Sequence, residues 1–203
     1  MRNNSVTNTS SWPNLVIILG GLLMAALWLL FTSLHGPTSF NKDGHFLGQD
    51  PLFWGMMMSA PASLLISLGL LAQYRLLAED VSRKARSGFV LIIIGLVLPA
   101  IVDILTVSLG PPLLIPLFAL GAFLLVSAHQ KTGALPQKAQ QMLWFIGVLL
   151  VLGTLSFFIP IEVLDQYQGY RIYGVLVNLL FGLAWAMFGY NMWRDRLHEN
   201  EKE

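Results

Sequence analysis

Six long apolar segments, separated by short polar stretches, dominate the pattern of hydrophobic and polar positions. We place them at about residues 14–34, 51–73, 88–109, 111–128, 141–161 and 172–193. Each is close to the roughly 20 residues with which an α-helix crosses a hydrocarbon layer of about 30 Å. The pattern therefore predicts an all-α fold, a polytopic bundle of six transmembrane helices forming one domain over residues 1–203, with polar tails at residues 1–12 and 194–203.

The first, third and fourth segments carry further sequence signals. The apolar run at residues 15–30 is longer than the roughly 7–15 residues of a signal-peptide core, so we interpret it as a retained helix. The third and fourth segments are divided only by Gly110-Pro111-Pro112, a turn signal that predicts a tight hairpin. The fourth segment is short and contains Pro116, so it is either a full span or partly re-entrant.

The positive charges are distributed unevenly between the two sides that six spans would create. Only Lys42 and Arg171 fall on one side, whereas ten of the twelve cations fall on the other: Arg2, Arg75, Arg83, Lys84, Arg86, Lys131, Lys138, Arg194, Arg196 and Lys202. Lysine and arginine are enriched in cytoplasmic loops. We therefore expect both termini to be cytoplasmic, in a multi-pass protein of a bacterial cytoplasmic membrane.

In this topology the chain divides into three hairpins, each closed on the outer side. The second helix of each hairpin ends in interface residues and a cation, at Arg75, Lys131 and Arg194. This regularity is consistent with a threefold internal duplication of the kind found in some transporters. It is equally expected of any outward-closed hairpin, and the apolar segments share no common register, so we favour the simpler interpretation.

Composition narrows the chemistry that the chain can perform. Hydrophobic residues make up 55% of the chain and charged residues 11%, which is typical of membrane proteins. The formal charge of +1 gives no reason to expect a nucleic-acid partner, and the absence of cysteine excludes disulfides and thiolate chemistry. Hydrolase and phosphate-loop motifs are missing as well, and the loops are short. We therefore expect no cofactor and favour a protein that is not an enzyme.

Asp103 is the one acidic residue within an apolar segment. Gly95, Pro99 and Asp103 recur every four residues, so a helix places them along one face. Pro99 has no N–H to donate to the carbonyl of Gly95, which favours a kink. A carboxyl group is expensive in contact with lipid, so Asp103 should face protein or a water-filled cavity.

Other polar residues are predicted to lie at a similar depth, namely Ser59, Ser156 and Asn178. Together with Gly95, Pro99 and Asp103 they form a candidate intramembrane polar site for a proton, a cation or a small polar solute. The alternatives are that Asp103 hydrogen-bonds a neighbouring helix and serves only packing, or that it reaches the outer headgroups.

Further features favour structural roles. Small residues recur along helix faces, as at Gly21 and Ala25, and we interpret them as sites where helices approach closely. The cytoplasmic segment 75–86 is either a positive anchor between spans or an amphipathic segment that docks a partner or anionic lipid. We expect the outer-loop histidines and acids to be solvated rather than to bind a metal: His35, Asp43, His45, Asp50, Glu162 and Asp165.

Three classes of function remain at this point. The first is a non-enzymatic sensor, scaffold or accessory subunit of a membrane complex. Such a protein would lie in the lipid bilayer and bind either a protein partner or a second copy of itself. The second is a small proton- or cation-coupled transporter or channel subunit that uses Asp103. The third, an intramembrane enzyme, needs a second catalytic group near Asp103, and none is evident.

Overall fold

The structure is a computed structural model that describes residues 11–34, 45–49, 51–106, 114–156, 158–160, 162–163 and 174–200. Within these ranges it contains six long α-helices: α1 Trp12–Leu34, α2 Pro51–Ala72, α3 Arg83–Thr106, α4 Ile115–Thr132, α5 Gln137–Ser156 and α6 Leu180–Asn200. Single turns of π-helix at Arg75–Glu79 and Gly174–Leu179 precede α3 and α6. The prediction of an all-α bundle is confirmed, and each predicted segment overlaps one of the long helices.

Four helical stretches are long and apolar enough to cross a membrane: Trp12–Leu34, Phe53–Ala72, Arg83–Leu105 and Gln137–Ser156. In the other two helices, polar residues occupy part of the length. The last turn of α4 carries His129 and Lys131, and α6 continues past Trp193 into a charged segment. That segment, predicted as a polar tail, is helical to Asn200.

Proline and glycine determine where α4 begins and ends. Pro116 occupies the first turn of α4, where its missing N–H interrupts no helical hydrogen bond. Gly133 ends the helix with a φ of 65°, and its N–H donates to the carbonyl of His129 at 2.8 Å. This left-handed cap is the usual role of glycine at a helix end. The fourth segment is thus one continuous helix from Ile115, while the predicted hairpin at residues 110–112 lies outside the described residues.

The six helices pack in chain order and close into a ring. Each helix packs on the next one along the chain, and α6 returns to pack on α1. Aromatic rings of α4 and α6 contact one another in the interior. The ring centroid of Phe118 lies 5.8 Å from that of Phe181 and 6.2 Å from that of Trp185, and Phe188 lies 5.7 Å from Trp185.

Small residues allow α1 and α6 to approach closely. A Cβ added to Gly21 would lie 2.7 Å from the carbonyl oxygen of Gly182, and one added to Gly182 would lie 2.8 Å from that of Gly21. Ala25 and Ala186, one turn further along each helix, are buried in the same contact. The small-residue face around Gly21 and Ala25 therefore packs against backbone, as that spacing predicted.

Candidate functional site

Asp103 lies on the face of α3 that is turned into the bundle. Its exposed fraction is 4%, and it continues a stripe of buried residues at helical spacing: Ala85, Phe89, Ile92, Leu96 and Ala100. From residue 90 onwards, the opposite face of α3 exposes large apolar side chains, at Val90, Ile94, Leu98, Ile101 and Leu105. The burial of Asp103 agrees with the high cost of placing a carboxyl group against lipid.

Gly95 and Pro99 lie beside this stripe and are partly exposed. At Gly95, α4 comes so close that an added Cβ would lie 2.6 Å from the Cβ of Phe118. The helix runs from Arg83 to Thr106, so Pro99 does not end it. Because proline has no N–H, the carbonyl of Gly95 loses its helical donor at this point.

The remaining members of the predicted site are spread over other elements. Ser59 is partly buried on α2, which packs against α3. The hydroxyl of Ser156 donates to the carbonyl of Gly153 in its own helix at 2.7 Å. Asn178 lies in the π-turn before α6, which packs chiefly on α1. The packing thus places Ser59 on a helix next to that of Asp103, whereas Ser156 and Asn178 belong to the α1, α5 and α6 side of the ring.

A second group of buried polar residues lies at the predicted cytoplasmic end of the bundle. Asn14 near the start of α1 is fully buried, and Gln73 just after α2 is 3% exposed. The side-chain amide of Gln73 donates to Asn14 Oδ1 at 2.6 Å. Helix α6 also reaches this point, because a Cβ on Gly189 would lie 2.9 Å from the carbonyl oxygen of Asn14. The pair therefore sits where three helices meet.

The connector between α2 and α3 is attached to the end of α4 by a histidine. His129 is fully buried, and its Nε2 lies 2.9 Å from the carbonyl oxygen of Leu77 in the π-turn Arg75–Glu79. Since a carbonyl only accepts, Nε2 carries the proton and donates. His129 follows the predicted fourth span, which ends at residue 128. Burial lowers the pKa of His129 below its usual 6.5, although the bond to the Leu77 carbonyl acts in the opposite direction.

A cleft with four glutamines in its lining opens between the end of α4 and the start of α5. It has a volume of about 420 Å³ and is lined by Val126, Gln130, Gln137, Gln140, Gln141 and Trp144. We call it the α4–α5 cleft. The side chain of Gln140 donates to the carbonyl of Leu135 at 2.8 Å, which holds the loop between the two helices against α5.

Sequence reasoning assigned Asn14, Gln73 and His129 to the ends of spans and gave them no further role. One sequence feature could have indicated that they lie near one another. All three fall at the same predicted level of the membrane, together with Arg75 and Lys131. Metal chemistry gains no support in the part of the chain that is described, where no group of three or more histidine or acidic side chains converges. Of the candidate outer-loop ligands, His35, Asp43, Asp50 and Asp165 lie outside that part.

Comparison of the chain with protein-family models, with curated proteins and with solved structures gave no match. Three regions of the structure bear on function: the buried acid of α3, the α4–α5 cleft, and the buried polar residues Asn14, Gln73 and His129, which we call the polar junction.

Proposed function

We propose that the chain is a six-span protein of a cytoplasmic membrane, with both termini inside, and that it acts as a sensor, scaffold or accessory subunit rather than as an enzyme. The uneven distribution of cations supports this orientation, since ten of the twelve lie on one predicted side. The outward face of α3 supports membrane insertion, because its exposed side chains are all large and apolar, from Val90 to Leu105.

One observation carries the preference for an accessory role over a transport role. The rings of Phe118, Phe181, Trp185 and Phe188 contact one another in the interior of the bundle. Trp185 and Phe188 are both fully buried. A solute path along the axis of the bundle would have to displace these rings, which are among the largest side chains in the core.

The connector between α2 and α3 supplies a surface for a protein partner. Two of its apolar side chains, Leu77 and Ala78, are fully buried in the bundle. The other two, Leu76 and Val81, are partly buried and pack against the same core. Exposed charged side chains surround them, both in the connector, at Arg75, Glu79 and Asp80, and in the adjoining first turn of α3, at Arg83, Lys84 and Arg86. We count that first turn as part of the connector surface. The apolar face of the connector is therefore not available to bind the membrane surface. A partner would instead recognise charged side chains that are fixed in position.

Purification from native membranes tests the accessory role. We expect a stoichiometric partner to remain with the wild-type protein and to be lost when Arg83, Lys84 and Arg86 are changed to glutamate. The matched control reverses Lys131 and Lys138, which lie on the same predicted side but outside the connector. Loss of the partner in both variants, or retention in both, would contradict recognition by the connector.

A proton- or cation-coupled transporter is the second candidate, favoured by the 4% exposure of Asp103 on α3. Purified protein in liposomes would then dissipate an imposed proton gradient, and Asp103→Asn would abolish the flux. Difference infrared spectroscopy across a pH series, with Asp103→Asn as the blank, reads the accessibility of the same carboxyl. A flux that depends on Asp103 would overturn the accessory role in favour of this one.

A further inference from the structure

The α4–α5 cleft lies in a part of the chain that is free of acidic residues. Between Asp103 and Glu162 the sequence contains no aspartate or glutamate. Lys131 at the end of α4 and Lys138 at the start of α5 are both exposed and flank the short loop that joins the two helices. The charge of this hairpin is therefore entirely positive, and the ligand that it favours is an anion.

The lining of the cleft offers hydrogen-bond donors at the same place. Gln130, Gln137 and Gln141 are exposed, and each carries an amide with two N–H groups. Gln137 also begins α5, a helix of 20 residues whose first turn has backbone N–H groups without a helical acceptor. Glutamine amides, two ammonium groups and a helix N-terminus together match the oxygens of a phosphate.

The surroundings of the cleft indicate which phosphate it takes. Trp144 lines the cleft and is 53% exposed, and large apolar side chains continue the same face of α5 at Leu152 and Leu155, which are 49% and 55% exposed. A tryptophan between a polar cleft and an apolar strip is typical of the membrane interface. A free phosphate ion would use the polar end alone, whereas a phospholipid would use both the cleft and the strip.

We propose that the α4–α5 cleft binds the headgroup of an anionic phospholipid, whose acyl chains lie along the exposed apolar face of α5. The volume of about 420 Å³ lies within the range of roughly 300–1,000 Å³ common to ligand pockets. Lys131, Lys138 and the glutamine amides hold the phosphate, and Trp144 packs against the glycerol region. The inference rests on the membrane placement given under the proposed function.

Native mass spectrometry of the full-length protein tests this site. The protein is purified in detergent and offered equal amounts of phosphatidylglycerol and phosphatidylcholine. We expect one retained phosphatidylglycerol per chain in the wild type. Retention should fall at least about fivefold in Lys131→Gln/Lys138→Gln, since each surface lysine contributes appreciably to the attraction of anionic lipid. Gln141→Leu, which keeps the charge, should lower retention as well.

The control is Lys84→Gln/Arg86→Gln, which removes the same charge from the first turn of α3. If both double variants lose the same amount of retained phosphatidylglycerol, the lipid is attracted by the overall positive charge rather than by the cleft, and the proposal is overturned. Displacement of the lipid by inorganic phosphate, at an ionic strength matched with chloride, would assign the cleft to a free anion instead. Labelling of Lys138→Cys in membranes with an impermeant maleimide shows on which side of the membrane the hairpin lies. The result separates a wrong predicted orientation from a failure to bind lipid.

Discussion

His129 Nε2 and the carbonyl oxygen of Leu77 lie 2.9 Å apart, although 52 residues separate them in the chain. The bond joins the last turn of α4 to the π-turn Arg75–Glu79, and Leu77 and Ala78 are fully buried beneath it. The connector is therefore held both by buried apolar side chains and by a hydrogen bond from one titratable side chain, His129. This arrangement links the geometry of the proposed partner surface to pH.

The fold should lose stability as the pH falls below about 6.5. Burial lowers the pKa of His129, so in the folded state the ring stays neutral at pH values where the unfolded chain has begun to bind a proton. The unfolded state then binds more protons, and the free energy of unfolding decreases with falling pH. The slope from one proton is at most about 1.4 kcal/mol per pH unit. This contribution is complete above 6.5 and is lost as the pH falls towards the lowered pKa.

Thermal unfolding in detergent at several pH values between about 5 and 8 measures this effect. His129→Gln should flatten the pH dependence, because glutamine can still donate to the Leu77 carbonyl but does not titrate. His45→Gln is the control, since His45 is exposed and lies outside the bundle core. An unchanged pH dependence in His129→Gln would show that another group is responsible.

The hydrogen bond between Gln73 and Asn14 should contribute to stability as a pair. Both side chains are buried, so replacing either one by leucine leaves the other amide without this partner, at a cost of about 1–3 kcal/mol. Replacing both should cost less than the sum of the single changes. A double-mutant cycle read by denaturant unfolding gives the coupling energy, which we expect to be about 0.5–3 kcal/mol. If the stability losses of the two single variants simply add in the double variant, the hydrogen bond does not contribute to stability as a pair.

The positions of the helices could be predicted because an apolar run of spanning length has few alternatives to a helix. Arg83 and Gln137 nevertheless start their helices about one turn before the apolar segments begin, because polar residues continue a helix as readily as apolar ones outside the hydrocarbon. The small-residue face of α1 could be predicted as well. Its partner could not, since helical spacing gives a direction but does not identify the neighbour in that direction.

The burial of the residues in the polar junction could not be predicted from the sequence. Asn14, Gln73 and His129 fall at the ends of predicted spans, where solvated polar residues are ordinary. Their burial depends on the connector folding back under α4 and on α6 packing beside α1, which are contacts between distant parts of the chain. Hydropathy carries no information about such contacts. Asp103 was easier to single out, because a carboxyl group within an apolar segment is rare wherever the segment packs.

Gly21→Ala should destabilise the contact between α1 and α6. The added methyl group would lie 2.7 Å from the carbonyl oxygen of Gly182, so the two backbones would have to separate. We expect a loss of about 1–3 kcal/mol, typical of overpacking. Ala26→Leu is the matched control, because Ala26 is exposed on the same helix and a larger side chain fits at the surface of the bundle. Equal effects at both positions would exclude close packing as the cause.

Trp185 should tolerate phenylalanine far better than alanine. Its indole is fully buried and packs against Phe181 and Phe188, so truncation to alanine would leave a large cavity and cost about 3–5 kcal/mol. The indole N–H, however, has no hydrogen-bond partner among the described residues. Phenylalanine removes that unsatisfied donor while keeping an aromatic ring, so Trp185→Phe should cost only about 1 kcal/mol. Denaturant unfolding of both variants, with the exposed Trp144→Phe as reference, measures the difference. A large loss in Trp185→Phe would mean that the indole N–H is bonded in the membrane, and that the centre of the bundle admits a polar group.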